Sequence, residues 1–246
     1  MTPFFLLRQG LCNSSGWVGK NLTIHPGIDV GAFFENEKIS PHRFAPQTYC
    51  IDSLHNEGIL FLHAGLQLEI GAVALPYIGE RFSEIMSHYD NTAWFGAMIE
   101  DRPSGRVLVF RNKPIIFYWL GKREVGLLKK GVITLVKIFL NAGAKYVFPP
   151  IRGIEEIKSF NDLKLLEGMK CHPRDFLGIV GFHPLGTCRM GADPEISVVN
   201  QNHESWDIKG LYVCDGSVVP TSIGVNPQET IMALATRASE KIADAI

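Results

Sequence analysis

Residues 181 to 191 read GFHPLGTCRMG, and the side chain in them that titrates closest to neutral pH is His183. Pro184 and the three glycines of this stretch keep it out of regular helix and hold the backbone in tight turns. A histidine fixed in this way can give or take a proton near pH 7, and positioned proton transfer contributes typically ~10²–10⁴-fold in rate. Further along, Asn226 opens the run NPQETIMALATRASEKIADAI. There its amide would donate beside a helix N-terminus, which carries roughly half a positive charge. Together His183 and Asn226 could deprotonate a hydroxyl and hold the resulting alkoxide. Spacing alone leaves a plainer alternative open, and favours it: a satisfied loop histidine and an asparagine that only caps a helix. No nucleophile elbow, P-loop or pair of catalytic carboxylates stands out. Cys171, His172, His183 and Cys188 match no zinc spacing, and no metal is expected.

The elements that must position these residues are best marked in the C-terminal third. GLYVCDG (210–216) reads as a short apolar strand ending in Asp215-Gly216, and a loop then leads to an amphipathic helix. Asn226 reads as its N-cap, Pro227 as its first residue and Glu229 as the partner in a capping box. Ile231, Leu234, Ala235, Ala238 and Ile242 fall on one face. REVGLLKKGVITLVKIFLNAGA is the clearest helix in mid-chain, with Val125, Leu128, Val132, Leu135, Val136 and Phe139 as its core stripe. KYVFPP follows as a strand. SGRVLVF and PIIFYWL read as two strands around a tight RNK connection, with Pro114 at the start of the second. Residues 3–11 form a short helical or irregular apolar segment, and from about 22 to 75 the pattern is broken and strand-like.

Composition bounds the function classes. The 246 residues carry a formal net charge of −1, with 46% hydrophobic and 20% charged residues, the profile of an ordinary globular chain. Lys and Arg are spread out rather than gathered into a basic face, which argues against a nucleic-acid partner. Five cysteines without a C-x-x-C pair suit a reducing compartment, so a cytoplasmic location is expected. The longest apolar region, GILFLHAGLQLEIGAVALPYIG (58–79), is interrupted by His63, Gln67 and Glu69, and membrane contact is not indicated.

The motifs, taken together and in order, resemble the glucose-methanol-choline (GMC) flavin oxidoreductases. GFHPLGTCRMG, then VVN, then GLYVCDGSVVPTSIGVNPQETIMALATRA is similar to that family's C-terminal signature, and TPFFLLRQGL with VGKNLTIHP is similar to an earlier one. MIEDRPSGRV and NAGAKYVFPP also look like the family, so the likeness runs nearly end to end and is weakest over 33–95. The resemblance implies FAD as cofactor. It also implies His183 as the base that accepts the alcohol proton while hydride passes to the flavin N5, with Asn226 as its partner. Asp215 and Gly216 match residues lying along the FAD, and Pro227 and Thr230 match residues near the flavin pyrimidine edge. The implied fold is α/β: an antiparallel-rich substrate-domain sheet with helices, plus a remnant of a Rossmann-like FAD-binding domain.

The chain departs from the family in one respect. No G-x-G-x-x-G loop occurs in it, and Met1-Thr2-Pro3 falls inside the earlier signature, with Gln9 where that signature has serine. The expectation is a C-terminal half lacking the N-terminal βαβ unit of the FAD domain. Residues 1–30 would be the tail of the FAD-domain region, 31–170 the substrate domain and 171–246 the catalytic, FAD-contacting segment. The function expected is oxidation of the CH–OH group of a small-molecule alcohol, with a lipophilic one among the candidates, with help from the missing half. Two alternatives stand beside it: a non-catalytic remnant, and a module that binds apolar ligands without flavin.

Overall fold

The structure, a computed structural model, describes residues 1–245. Its elements in chain order are α1 (Thr2–Gln9), β1 (Gly27–Phe33), β2 (Cys50–Ile51), β3 (Ile59–His63), α2 (Leu68–Ala74), α3 (Glu80–Ser87), β4 (Thr92–Ile99), β5 (Arg106–Phe110) and β6 (Lys113–Phe117). Then follow α4 (Lys122–Asn141), β7 (Tyr146–Phe148), α5 (Phe160–Gly168) and α6 (Gln228–Ala243). They gather into two compact units, each made of separate stretches of chain. One unit joins residues 1–25, 100–120 and 181–246; the other joins 26–99 and 121–180. The consecutive segments expected from the sequence differ from these units at 26–30, 100–120 and 171–180.

The second unit is built on a five-stranded sheet in the order β2-β3-β4-β1-β7, antiparallel throughout. Helix α4 covers one face, burying the stripe Leu128, Val132, Leu135, Val136 and Phe139, while Val125 at its start is only partly covered. Glycine at 131 is what lets the helix approach so closely. A side chain there would begin 2.8 Å from the Ala97 Cβ on β4. On the opposite face the Phe148 ring lies across Gly31, its register partner on β1, and joins Trp94 and Tyr146 in a cluster completed by Ile85 and Tyr89.

Helix α2 corrects the strand-like reading of its region. Short apolar runs are ambiguous between strand and helix, and here a tertiary contact decides. Gly71 of α2 sits against the Tyr89 hydroxyl, which in turn donates to the Leu66 carbonyl at 3.0 Å, and no side chain larger than glycine's fits at that point.

The first unit has a different construction. The hairpin β5–β6 is as expected, closed by Arg111 and Asn112 with φ 46° and 63°, the pair of positive angles that a type I′ two-residue turn requires. Pro114 pairs with Val109 near the start of β6. Helix α1 packs against β5. Leu6, Cys12, Val18, Cys188, Val198, Val199, Val213 and Val218 form the core, with Leu234 of α6 packed on it. Elsewhere the unit is stitched by single bridges, among them Leu22 to Gly105, Thr23 to Leu185 and the parallel bridge Met190 to Val199.

Two expectations fail here. GLYVCDG is not a strand. Val213 donates to His203 and Leu211 accepts from Ser205, a pairing too short for a ladder, and Gly216–Val218 turn into one 3-10 turn. The capping box also does not form. Pro227 itself takes the cap position of α6 with φ −87° and ψ 5° and no side-chain cap, so Asn226 lies one residue outside the helix. The rest of α6 follows its expected face: Ala238 is buried and Ile231, Leu234, Ala235 and Ile242 are partly buried. No helix among the described residues is long and apolar enough to cross a membrane.

Candidate active site

All six residues singled out from the sequence lie in the first unit, and the local chain geometry explains how they are held. The segment carrying His183 is fastened on both sides. Leu185 exchanges backbone hydrogen bonds with Thr23 (2.9 and 3.2 Å), and Cys188 and Met190 donate to Ser217 and Val218 at 2.8 and 2.9 Å. Gly186, at φ 82°, presses onto Asn21; a Cβ there would stand 2.4 Å from the Asn21 carbonyl oxygen. Asn21 answers with its side chain, donating to the carbonyls of Gly186 (3.4 Å) and Pro220 (2.8 Å). Arg189 lies over the Trp17 ring at 5.1 Å. Residues 17–25, 183–190 and 215–224 are thereby tied into one construction.

Gly216 is the tight point between two of these stretches. A side chain there would meet Ile231 of α6 at 3.0 Å and Leu185 at 3.1 Å. Asp215 accepts from the Ser217 backbone N–H at 2.8 Å and from the Thr2 hydroxyl. Burial works to raise its pKa, but these hydrogen bonds outweigh burial and hold the carboxyl below the usual range. Pro227 is buried and Thr230 partly buried in the first turn of α6.

His183 is half-buried, and its Nδ1 is enclosed with no hydrogen-bond partner. Burial lowers its pKa, which keeps the imidazole neutral and able to accept a proton near neutral pH. The ring meets a second histidine edge-on: the centroids of His25 and His183 are 5.8 Å apart with an interplanar angle of 72°. His25 is buried, and its Nε2 accepts the backbone N–H groups of Ile223 and Gly224, both at 3.1 Å. His25 therefore links the His183 ring to the turn that leads into Asn226. Sequence reasoning assigned no role to His25. The available signal was its place at the end of VGKNLTIHP, one of the stretches that carried the family likeness.

Cys188 lies in the core of the unit, and burial pushes its thiol up to about 12. No group of three or more His, Cys, Asp or Glu side chains among the described residues is placed to hold a metal ion.

This arrangement holds a neutral imidazole on a loop fastened at both sides, joined through His25 to the turn before α6. Residues 116–235 match the family model described as GMC oxidoreductase. The C-terminal region of this chain belongs to the GMC oxidoreductase family. A GMC-type oxidoreductase of Mycobacterium tuberculosis is 27% identical over 241 residues, covering 98% of this chain and 38% of its own length. A long-chain-alcohol oxidase of Arabidopsis thaliana is 28% identical over 268 residues, covering 100% of this chain and 35% of the relative. The chain thus spans well under half the length of these GMC relatives. Among solved structures, pyridoxine 4-oxidase from Mesorbium loti superposes with a TM-score of 0.64 over 97% of this chain and 49% of that one, at 18% identity. That likeness extends to the fold of a GMC oxidoreductase, with its antiparallel sheet and helices.

Proposed function

We propose that this chain provides the substrate-facing, proton-accepting part of an FAD-dependent oxidoreductase acting on the CH–OH group of an alcohol. The observation that carries this reading is His183: a half-buried imidazole whose loop is fastened at both sides, kept neutral by burial, with Nδ1 enclosed and unpartnered. Nδ1, being enclosed, is out of a substrate's reach, so a reacting hydroxyl would meet the other ring nitrogen, Nε2, which is not among the enclosed unpartnered atoms.

The residues present fit FAD. Besides His183 Nδ1, the buried Ser222 Oγ has no partner within the chain, and α6 opens without a side-chain cap, leaving its first N–H groups to face an electron-rich ring edge. Asp215, Gly216, Pro227 and Thr230 would hold the group, with Gly216 leaving no side chain in the way. FAD, when bound, supplies the acceptor for the hydride that leaves the alcohol carbon. His183 would take the hydroxyl proton, leaving the electron pair of the O–H bond to form C=O as the hydride departs. Asn226 donates from its amide to the oxygen as negative charge develops there. The pyrophosphate of FAD would be met by a segment bearing the G-x-G-x-x-G loop this chain lacks, fused to it or acting in trans, as a remnant of a Rossmann-like domain requires. Long-chain-alcohol oxidases among the relatives support a lipophilic alcohol as substrate.

The test is the visible spectrum of the protein after incubation with FAD and desalting, with and without a dinucleotide-binding segment. The reading predicts weak or no retention by the chain alone, flavin retained when the segment is supplied, and bleaching on adding a long-chain primary alcohol without oxygen. A protein that gains no flavin under either condition, or whose flavin no alcohol bleaches, contradicts it.

A further inference from the structure

His25 has a geometry that neither packing nor the proton transfer assigned to His183 explains. Its backbone sits at φ 49°, a left-handed conformation that a non-glycine residue keeps only when its surroundings hold it. Those surroundings are specific. The Asp101 carboxylate accepts the N–H groups of Ile24 and His25, each at 3.1 Å, and the Tyr118 hydroxyl donates to the same carboxylate at 2.7 Å. So anchored, the ring turns its Nε2 onto the Ile223 and Gly224 N–H groups and its edge onto His183.

An imidazole nitrogen that accepts two N–H groups carries no proton of its own, so the neutral ring must be protonated on Nδ1. We infer that His25 is a positioning residue: as a neutral, Nδ1-protonated imidazole it fixes the turn leading into Asn226 and sets it in register with the His183 ring. The inference rests on the proposed roles of His183 and Asn226. The charged and titratable groups facing His25 are Asp101 and His183. Burial lowers its pKa most, Asp101 pulls the other way, and His183 adds to the lowering, so His25 stays neutral where it works.

Phenylalanine at 25 fills the ring's volume without an acceptor, whereas glutamine carries an acceptor oxygen at the reach of Nε2. In the full chain, without flavin, His25→Phe is expected to speed hydrogen exchange at the Ile223 and Gly224 amides by about tenfold or more. The same change is expected to displace the titration midpoint of His183 read from its ring NMR signals. His25→Gln is expected to restore both, while the core amides of Val198 and Val213 keep their protection in each variant. Unchanged exchange and unchanged His183 titration in His25→Phe would overturn the inference. The unmutated chain gives a second measurement should the phenylalanine variant fail to fold. Two-bond proton–nitrogen correlations between about pH 5 and 8 should place the His25 proton on Nδ1, and finding it on Nε2 would overturn the inference equally. His183→Ala with undiminished alcohol oxidation would instead remove the functional reading and leave these exchange and tautomer results as they are, so the two failures are distinguishable.

Discussion

Two histidine rings meet edge-on at His25 and His183, each with a buried Nδ1 that has no hydrogen-bond partner, and each held neutral by burial. The cost of that arrangement falls on the folded state at acid pH. The unfolded chain protonates both rings near 6.5, whereas the folded chain resists protonation until lower pH. Between those values the unfolded state binds more protons, so stability is fully present above about pH 6.5 and falls as pH drops through the folded pKa values. Thermal unfolding followed from pH 7.5 to 5 should show a falling Tm. His25→Gln should flatten that dependence by removing one of the two groups, and an equally steep slope in the variant would mean that His25 is not held neutral by the fold.

At the scale of elements, periodicity carried the sequence reading as far as local pattern can. The stripe on α4, the face of α6 and the β5–β6 hairpin follow from residue spacing, because each is set by side chains within one or two turns of one another. Features decided by distant partners were not legible. α2 is a helix because Gly71 meets Tyr89; 210–216 is no strand because its neighbours offer only a short pairing; Pro227 displaces Asn226 from the cap position. His25 finds its acceptor role through partners 198 and 199 residues away, beyond any window of local pattern. The packing of α4 on the sheet can be tested at its closest point. Gly131→Ala would place a methyl 2.8 Å from the Ala97 Cβ, two rigid groups with no flexible end to yield. Overpacking of this kind costs roughly 1–3 kcal/mol, against the few tenths to 1 kcal/mol that alanine gains over glycine in a helix. Chemical denaturation should show a net loss, and a stabilised variant would mean that the helix can rise off the sheet without penalty.

For the molecule as a whole, the two compact units divide the work. One builds the antiparallel sheet backed by α4. The other gathers every site residue read from the sequence, His183, Asn226, Asp215, Gly216, Pro227 and Thr230, together with His25. Those site residues come from stretches far apart in the chain, and glycines at 186 and 216 let the stretches touch. What unites them is a neutral imidazole on a fixed loop, joined through His25 to the turn before α6, in a chain whose C-terminal region is that of a GMC oxidoreductase. The measurement that tests this account most directly is the rate at which a long-chain alcohol reduces the flavin without oxygen, in protein loaded with FAD alongside a supplied dinucleotide-binding segment, before and after His183→Ala. The account predicts a fall of about two orders of magnitude or more with flavin still bound. Reduction at an undiminished rate would contradict it, and the proton acceptor would then have to be sought elsewhere than His183.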